Sequence, residues 1–279
     1  MELLFILPFL LLWFGSHVMS VPTFPHPRQS WTVNWWASEF QKYGCRPIIF
    51  VFARATFEPG NMGNTVGPTL SDGLKSVFGV TNVATQGVDY YGLIEGNYYP
   101  GGAPPWAIYD MEVLLAAAAA CPHSKIVASG YSQGAAIVHR AIEGLEPTVK
   151  ARIAGVVTFG DTQTLQDGGR IRGYPPNNTL IICNVGDIVC VGTLLPLFPA
   201  HWDYVKWVPT ATLFLAVKVL QANAVDPWPN GTLTWNGTRT IGGSSGLGRG
   251  LGVLLGVNTS QPLPTKVVAF PSPSETPSA

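Results

Sequence analysis

Charged side chains are scarce in this sequence, and neither sign is in excess. Asp, Glu, Lys and Arg make up 11% of the 279 residues, and 16 basic side chains are balanced by 16 acidic ones. Without a surplus of either charge, the composition does not point to a nucleic acid or to a strongly acidic partner. Hydrophobic residues make up 47% of the chain. The composition therefore favours one globular domain with a sizeable core, together with extensions.

The N-terminal apolar run, residues 3–14, is too short to cross a bilayer and has the length of the hydrophobic part of a signal peptide. Ser20 offers a small residue for cleavage, so we expect residues 1–20 to be a signal peptide and the protein to be secreted. Glu2 is acidic and no Lys or Arg precedes the run, which leaves an uncleaved signal anchor as the alternative. The polar C-terminus lacks the hydrophobic tail of a GPI signal.

Cysteine is also sparse, since the chain contains only four. In the oxidising environment that a secreted protein meets, four cysteines predict two disulfides. Four asparagines begin an Asn-x-Ser/Thr sequence, which is consistent with a secreted glycoprotein. They are Asn177, Asn230, Asn236 and Asn258.

Short apolar runs rich in β-forming residues alternate along the chain with helical patterns. The runs predict buried strands near residues 47–53, 83–88, 126–128, 153–160 and 179–184, and the patterns predict helices over residues 30–43, 70–79, 106–121 and 203–220. Strands this apolar are typical of a parallel sheet covered by helices on both faces, so the fold class is α/β. We expect residues 21–225 to form this domain. In the first helix, Trp31, Trp35 and Trp36 should pack on the core, with a carbohydrate-binding strip as the alternative.

The character of the chain changes after residue 225. Gly, Ser, Thr and Pro dominate residues 226–279, and no apolar periodicity is present. This composition predicts a flexible tail.

Residues 130–134 read Gly-Tyr-Ser-Gln-Gly and lie between a predicted strand and a predicted helix. A Gly-x-Ser-x-Gly sequence in that position is typical of a nucleophile elbow, in which a strained turn exposes the serine at the edge of a sheet. Ser132 is therefore the candidate nucleophile. The backbone N–H of Gln133 lies beside it and is a candidate donor to an oxyanion.

A nucleophilic serine needs a histidine as its base, and the sequence contains five. His17 lies in the predicted signal peptide and His26 in a short N-terminal segment. His123 precedes the elbow strand, at the end of the sheet remote from Ser132. His139 lies seven residues after Ser132 on the same helix, roughly 10 Å away. His201 remains, in a late loop where this fold class places its histidine.

The acid that orients this histidine should lie between the serine and the histidine in the chain. Asp161 and Asp187 each follow a predicted strand. Asp187 is preferred because a disulfide between Cys183 and Cys190 would close a small, rigid loop around it. Cys45 would then pair with Cys121. The alternative is that Asp187 is an ordinary turn residue.

Several motifs together resemble the cutinases, a family of secreted serine esterases that also includes acetylxylan esterases. The resemblance covers roughly residues 45–204. It is carried by Ala-Arg-x-Thr-x-Glu-Pro-Gly-Asn-x-Gly at residues 53–63, Gln-Gly-Val at 86–88, the Gly-Tyr-Ser-Gln-Gly elbow, Phe-Gly-Asp at 159–161, Gly-Asp-x-Val-Cys at 186–190, and His201 followed by Tyr204.

The resemblance implies a compact α/β-hydrolase with a central five-stranded parallel sheet and no large lid. It implies a catalytic triad of Ser132, Asp187 and His201, with Thr56 and Gln133 as the oxyanion donors. It also implies both disulfides named above, and a mechanism that uses no metal and no cofactor.

The apolar residues of the histidine loop favour cutin or short-acyl aliphatic esters as the substrate. They are Leu194, Leu195, Leu197 and Phe198. The aromatic residues at 90–106 would suit an acetylated polysaccharide, which makes an acetylxylan esterase the alternative. Ala55 and Phe57 depart from the family pattern and leave open a catalytically weak, surface-binding protein. We expect a monomer that binds no nucleic acid and inserts in no membrane.

Overall fold

The computed structural model describes residues 34–194 and 199–229, together with the backbone of residues 266–268. Five strands run through the centre of the domain. They are β1 (Ile48–Ala53), β2 (Val83–Gly87), β3 (Lys125–Tyr131), β4 (Ile153–Phe159) and β5 (Thr179–Cys183). Every residue of these strands is buried. The central five-stranded parallel sheet predicted from the sequence is confirmed.

The strands are ordered β2-β1-β3-β4-β5, and each pairs in parallel with its neighbours. Their C-terminal ends therefore meet along one edge, where this class of fold places its ligands. A short sixth strand, β6 (Lys266–Val268), pairs in parallel with β5, with Ile182 opposite Val267. It comes from the predicted tail, most of which lies outside the described residues. The predicted signal peptide lies outside them as well.

Six helices accompany the sheet in the described part of the chain: α1 (Glu39–Tyr43), α2 (Val66–Phe78), α3 (Pro105–Ala119), α4 (Gln133–Gly144), α5 (Pro147–Lys150) and α6 (Val208–Val225). Alternate residues of each strand face opposite sides, so the core has two halves. One half packs strand residues such as Phe50 and Phe52 against α2 and α6. The other packs Ile49 and Val51 against α3 and α4. Both faces of the sheet are covered, as predicted.

The first predicted helix is wrong over residues 34–38, and residues 30–33 lie outside the described part of the chain. Within the described residues, α1 begins only at Glu39. The backbone carbonyl of Trp35 instead accepts hydrogen bonds from the N–H groups of Asn61 and Met62, which holds this segment against a loop rather than in a helix. Trp35 and Trp36 are therefore exposed, not packed in the core. Trp31 lies outside the described residues.

Helix α6 begins later than predicted, at Val208, so that Pro209 falls in its first turn. Proline is tolerated there because the N–H it lacks would have no partner in the helix. The helix is long and apolar enough to cross a membrane. However, half of the apolar stretch is buried inside the domain, where residues such as Phe214 and Leu215 belong to the core.

Two disulfides join the four cysteines, as predicted. Cys45 pairs with Cys121, and Cys183 pairs with Cys190. The first ties the segment before β1 to the segment before β3. The second closes a loop of a few residues after β5, at the edge of the sheet where the predicted site residues lie.

Candidate active site

The turn between β3 and α4 holds Ser132 in a strained conformation. Its φ of 56° and ψ of −116° lie outside the regions that L-residues normally adopt. The glycines on either side allow this turn. A Cβ atom at Gly130 would lie 2.3 Å from the carbonyl oxygen of Gly134, and one at Gly134 would lie 2.0 Å from that of Ala53. The turn therefore lifts Ser132 to the C-terminal edge of the sheet, at the start of α4.

Three of the residues selected from the sequence form one chain of hydrogen bonds. Ser132 Oγ lies 3.0 Å from His201 Nε2, and His201 Nδ1 lies 2.8 Å from Asp187 Oδ2. The carboxylate can only accept, so it fixes the proton on Nδ1 and leaves Nε2 free to accept the serine proton. All three side chains are largely buried. This arrangement can activate a serine hydroxyl for attack on a carbonyl.

The carboxylate of Asp187 is held by two further donors. The N–H of Val189 donates to Oδ1 at 3.0 Å, and the hydroxyl of Tyr204 donates to Oδ2 at 2.5 Å. The Tyr204 oxygen also accepts a hydrogen bond from the N–H of Asn184 at 3.0 Å. In the sequence, Tyr204 is part of the motif that begins at His201, but no role is predicted for it there. The structure places it where it fixes the orientation of the aspartate.

The predicted oxyanion donors lie next to the serine. Gln133 is the first residue of α4, so its N–H has no acceptor within the helix. Thr56 lines the same cleft as Ser132. Sequence reasoning missed Asn97, whose side-chain amide donates to Thr56 Oγ1 at 3.1 Å. A hydroxyl oxygen that accepts this hydrogen bond can still donate its own proton to a group in the cleft.

The loop that carries Thr56 is organised around the buried carboxylate of Glu58. One carboxylate oxygen accepts from the N–H of Ala55 at 2.9 Å, and the other accepts from the hydroxyl of Thr65 at 2.5 Å. Phe57 has a φ of 63° and exposes its ring at the mouth of the cleft. The two departures from the family pattern, Ala55 and Phe57, are therefore accommodated without breaking the loop.

An open cleft of about 440 Å³ surrounds the serine. Its apolar lining consists of Ala55, Phe57, Ile94, Val189, Leu194 and Trp202. Among the described lining residues, the polar groups are the indole N–H of Trp202 and the side chains of Thr56, Asn97, Ser132, Thr162 and His201. Of the apolar residues predicted for the histidine loop, Leu194 lines the cleft, and Leu195, Leu197 and Phe198 lie outside the described residues.

The other described histidines do not reach Ser132. His139 is fully buried between Asp161 and Asp167, with nitrogen–oxygen distances of 2.8 and 2.9 Å. Burial disfavours its charge, but the two carboxylates outweigh burial and raise the pKa of His139 to about 9. Asp161, the alternative acid, is thus engaged by His139. His123 instead lies against Asp226 at 2.6 Å, and His17 and His26 lie outside the described residues.

One group of side chains in the described part of the chain could meet at a metal ion: His139, Glu143 and Asp167. The guanidinium groups of Arg140 and Arg172 already contact the carboxylate of Asp167. Ion pairing accounts for this cluster without a metal.

Comparison with known proteins identifies the family. The family model described as Cutinase matches residues 44–219. Cutinase CUT2 of Pyricularia oryzae is 49% identical over 189 residues, which cover 67% of this chain and 88% of that protein. Cutinase 3 of Emericella nidulans is 42% identical over 195 residues, which cover 69% and 86%. The solved structure of Trichoderma reesei cutinase with a phosphonate inhibitor is 29% identical and superposes with a TM-score of 0.60 over 67% of this chain and 81% of that one. The chain belongs to the cutinase family and is a carboxylic ester hydrolase.

Proposed function

We propose that this protein is a secreted serine esterase that cleaves the aliphatic ester bonds of cutin or of short-acyl esters. The observation that carries the proposal is the hydrogen-bonded chain from Ser132 through His201 to Asp187 at the floor of an apolar cleft. The relatives named as cutinases support the choice of substrate.

In the first half of the reaction, Ser132 Oγ attacks the carbonyl carbon of the ester while His201 Nε2 takes its proton. The tetrahedral intermediate collapses when the bond to the alcohol oxygen breaks, and His201 gives its proton to the departing alcohol. Asp187 remains ionised throughout and stabilises the imidazolium. The product of this half is an acyl-serine.

In the second half, water attacks the acyl-serine and gives its proton to His201. The carboxylic acid leaves, and the proton returns to Ser132 Oγ. The negative charge that develops on the carbonyl oxygen in both halves is stabilised by the N–H of Gln133 and by the N–H and hydroxyl of Thr56. Each such donor is expected to contribute about 3 kcal/mol in the transition state.

The apolar lining of the cleft supports an aliphatic acyl group over a charged one. Phe57, Ile94 and Trp202 offer apolar surface around Ser132, and burying it against a hydrocarbon chain contributes roughly 25 cal/mol per Å². Longer acyl chains should therefore bind more tightly until they extend beyond the cleft.

Export, glycosylation and a monomeric state belong to the same proposal. Residues 1–20 would be removed as a signal peptide, and residues 226–279 would form a tail that pairs with β5 through β6 and carries most of the predicted glycosylation sites. The neutral charge balance supports a protein that binds no nucleic acid, and the burial of α6 supports one that does not insert in a membrane. Mass spectrometry of the secreted protein would read the new N-terminus and the glycans directly.

The test of the activity is hydrolysis of p-nitrophenyl butyrate by the wild type and by Ser132→Ala. The variant should retain the fold and lose at least a thousandfold in kcat. A variant with substantial turnover would mean that another group is the nucleophile. A folded wild type without activity would favour the surface-binding alternative.

A further inference from the structure

A second pocket, of about 530 Å³, opens beside the catalytic cleft. It is lined by Tyr91, Leu93, Glu95, Tyr99, Pro104 and Trp106, together with Gly92 and Gly96. We call it the aromatic pocket. Its aromatic residues are not part of the hydrophobic core, because Tyr91 is 82% exposed and Trp106 is 47% exposed. Exposed aromatic rings grouped around a concavity are more typical of a binding site than of a packing defect.

The aromatic pocket and the catalytic cleft share a wall. Ile94 and Asn97 line the catalytic cleft, whereas Leu93, Glu95 and Gly96 in the same turn line the aromatic pocket. The wall is fixed to the elbow, since the side-chain amide of Gln133 donates to the carbonyl of Leu93 at 2.9 Å. A polymer that presents an ester to Ser132 therefore passes close to the aromatic pocket.

We propose that the aromatic pocket is a binding subsite for the sugar rings of a neutral polysaccharide. A pyranose ring has one face of C–H groups that packs on an aromatic ring, and a rim of hydroxyls that needs hydrogen-bond partners. Tyr99 and Trp106 meet edge to face, with their ring centroids 5.3 Å apart, so they present two walls at a steep angle. The volume is ample for a pyranose ring.

Polar groups are available at the edges of these rings. Within the described residues, no hydrogen-bond partner engages the hydroxyls of Tyr91 and Tyr99 or the indole N–H of Trp106. The carboxylate of Glu95 can accept hydrogen bonds from sugar hydroxyls. An aliphatic chain has no hydrogen-bond donor for the carboxylate of Glu95, so this carboxylate favours a ligand with hydroxyl groups.

The charge of the aromatic pocket selects a neutral chain. Glu95 is the one ionisable carboxylate among its lining residues, and residues 91–124 contain no Lys or Arg. The guanidinium of Arg54 lies behind Gly92 but is buried, over the ring of Tyr90 and bonded to the carbonyl of Glu58. Arg140 lies against Gly101 nearby, but its guanidinium is paired with Glu143 and Asp167. A negatively charged polysaccharide would therefore meet the carboxylate of Glu95 without an unpaired cation among the described lining residues.

Binding can be measured without catalysis, so its outcome is separate from that of the esterase proposal. Ser132→Ala, in the full chain, would be titrated by calorimetry with xylohexaose and with cellohexaose. We expect binding of at least one hexaose, and a Kd at least tenfold weaker when Trp106→Ala is added. Tyr43→Ala, which removes an exposed aromatic ring at the C-terminal end of α1, is the matched control and should leave the Kd unchanged. Trp106→Ala alone should keep its activity on p-nitrophenyl butyrate within twofold, which shows that it folds.

Two further probes separate the other possible occupants. Glu95→Gln keeps a hydrogen-bond acceptor and should weaken hexaose binding by less than threefold. An aromatic pocket with a carboxylate could instead hold a quaternary ammonium group; binding of choline that is abolished by Glu95→Gln, without binding of hexaose, would overturn the proposal. The proposal would also be overturned if neither hexaose bound, or if the Trp106→Ala variant bound a hexaose as tightly as its parent. It would be overturned as well if Trp106→Ala reduced adsorption to an aliphatic polyester and left sugar binding unchanged.

Discussion

The hydroxyl of Tyr204 offers the sharpest test of how the aspartate is held. Tyr204→Phe removes one oxygen atom and keeps the ring, which is fully buried against Tyr131 and Phe159. Two hydrogen bonds disappear: the one donated to Asp187 Oδ2 and the one accepted from the N–H of Asn184. The packing of the core is otherwise unchanged.

The cost follows from those two bonds. A hydrogen bond to a charged group contributes about 1.5–3 kcal/mol, and a buried N–H left without a partner costs about 1–3 kcal/mol. We expect the free energy of unfolding to fall by about 2–4 kcal/mol, since the neighbouring groups relax. For a domain of this size, that corresponds to a fall in Tm of roughly 5–15 °C.

The same substitution should slow the reaction without weakening binding. Without its second donor, the carboxylate of Asp187 orients the imidazole of His201 less well. A loss of about 1.4 kcal/mol in the transition state corresponds to a tenfold fall in kcat. Tyr204 does not line the catalytic cleft, so KM should stay within twofold. The assay is hydrolysis of p-nitrophenyl butyrate well below the Tm of the variant.

Tyr174→Phe is the matched control for this prediction. It also removes a buried tyrosine hydroxyl, which donates to the carbonyl of Ile153 at 2.9 Å. Ile153 begins β4, at the end of the sheet remote from Ser132. This control should lower Tm and leave kcat unchanged. If Tyr204→Phe also lost stability but kept full kcat, Tyr204 would be a structural residue and the reasoning about Asp187 would be refuted.

Two further predictions concern other parts of the site region. Asn97→Ala removes the amide that donates to Thr56 Oγ1; kcat on p-nitrophenyl butyrate should fall at least tenfold with little change in KM, and an unchanged kcat would contradict the role given to Thr56. His139 is the second case: its pKa of about 9 in the folded state exceeds the unfolded value of 6.5. Its charge therefore stabilises the fold fully below about pH 6.5, by an amount on the order of 3 kcal/mol, and this stabilisation is lost as the pH rises through 9. The difference in Tm between the wild type and His139→Gln should shrink from pH 6.5 to pH 9.5, and a constant difference would contradict the buried charge.

The strands and the elbow could be predicted because their signals are local. Buried parallel strands read as continuous apolar runs, and the glycines at 130 and 134 are required by contacts within one turn and with one neighbouring strand. Ser132, Asp187 and His201 could be selected because the order of these residues along the chain narrows the choice. The structure brings these three side chains into one hydrogen-bonded chain.

Other features could not be predicted because they depend on contacts between distant parts of the chain. Asn97 acts on a residue 41 positions away, in a turn with no motif of its own. The exposed Trp35 and Trp36 follow a helical pattern in sequence, but backbone hydrogen bonds from Asn61 and Met62 hold that segment in another conformation. The pairing of β6 with β5 likewise joins two segments more than 80 residues apart, one of which has no apolar periodicity.

The most direct measurement of the central claim is covalent labelling of the folded protein with a fluorophosphonate, followed by intact mass spectrometry and peptide mapping. The account predicts one label per chain, located on Ser132, with the label absent from Ser132→Ala and formed much more slowly by His201→Gln. A wild type that takes up no label, or carries it on another residue, would contradict the assignment of Ser132 as the activated nucleophile.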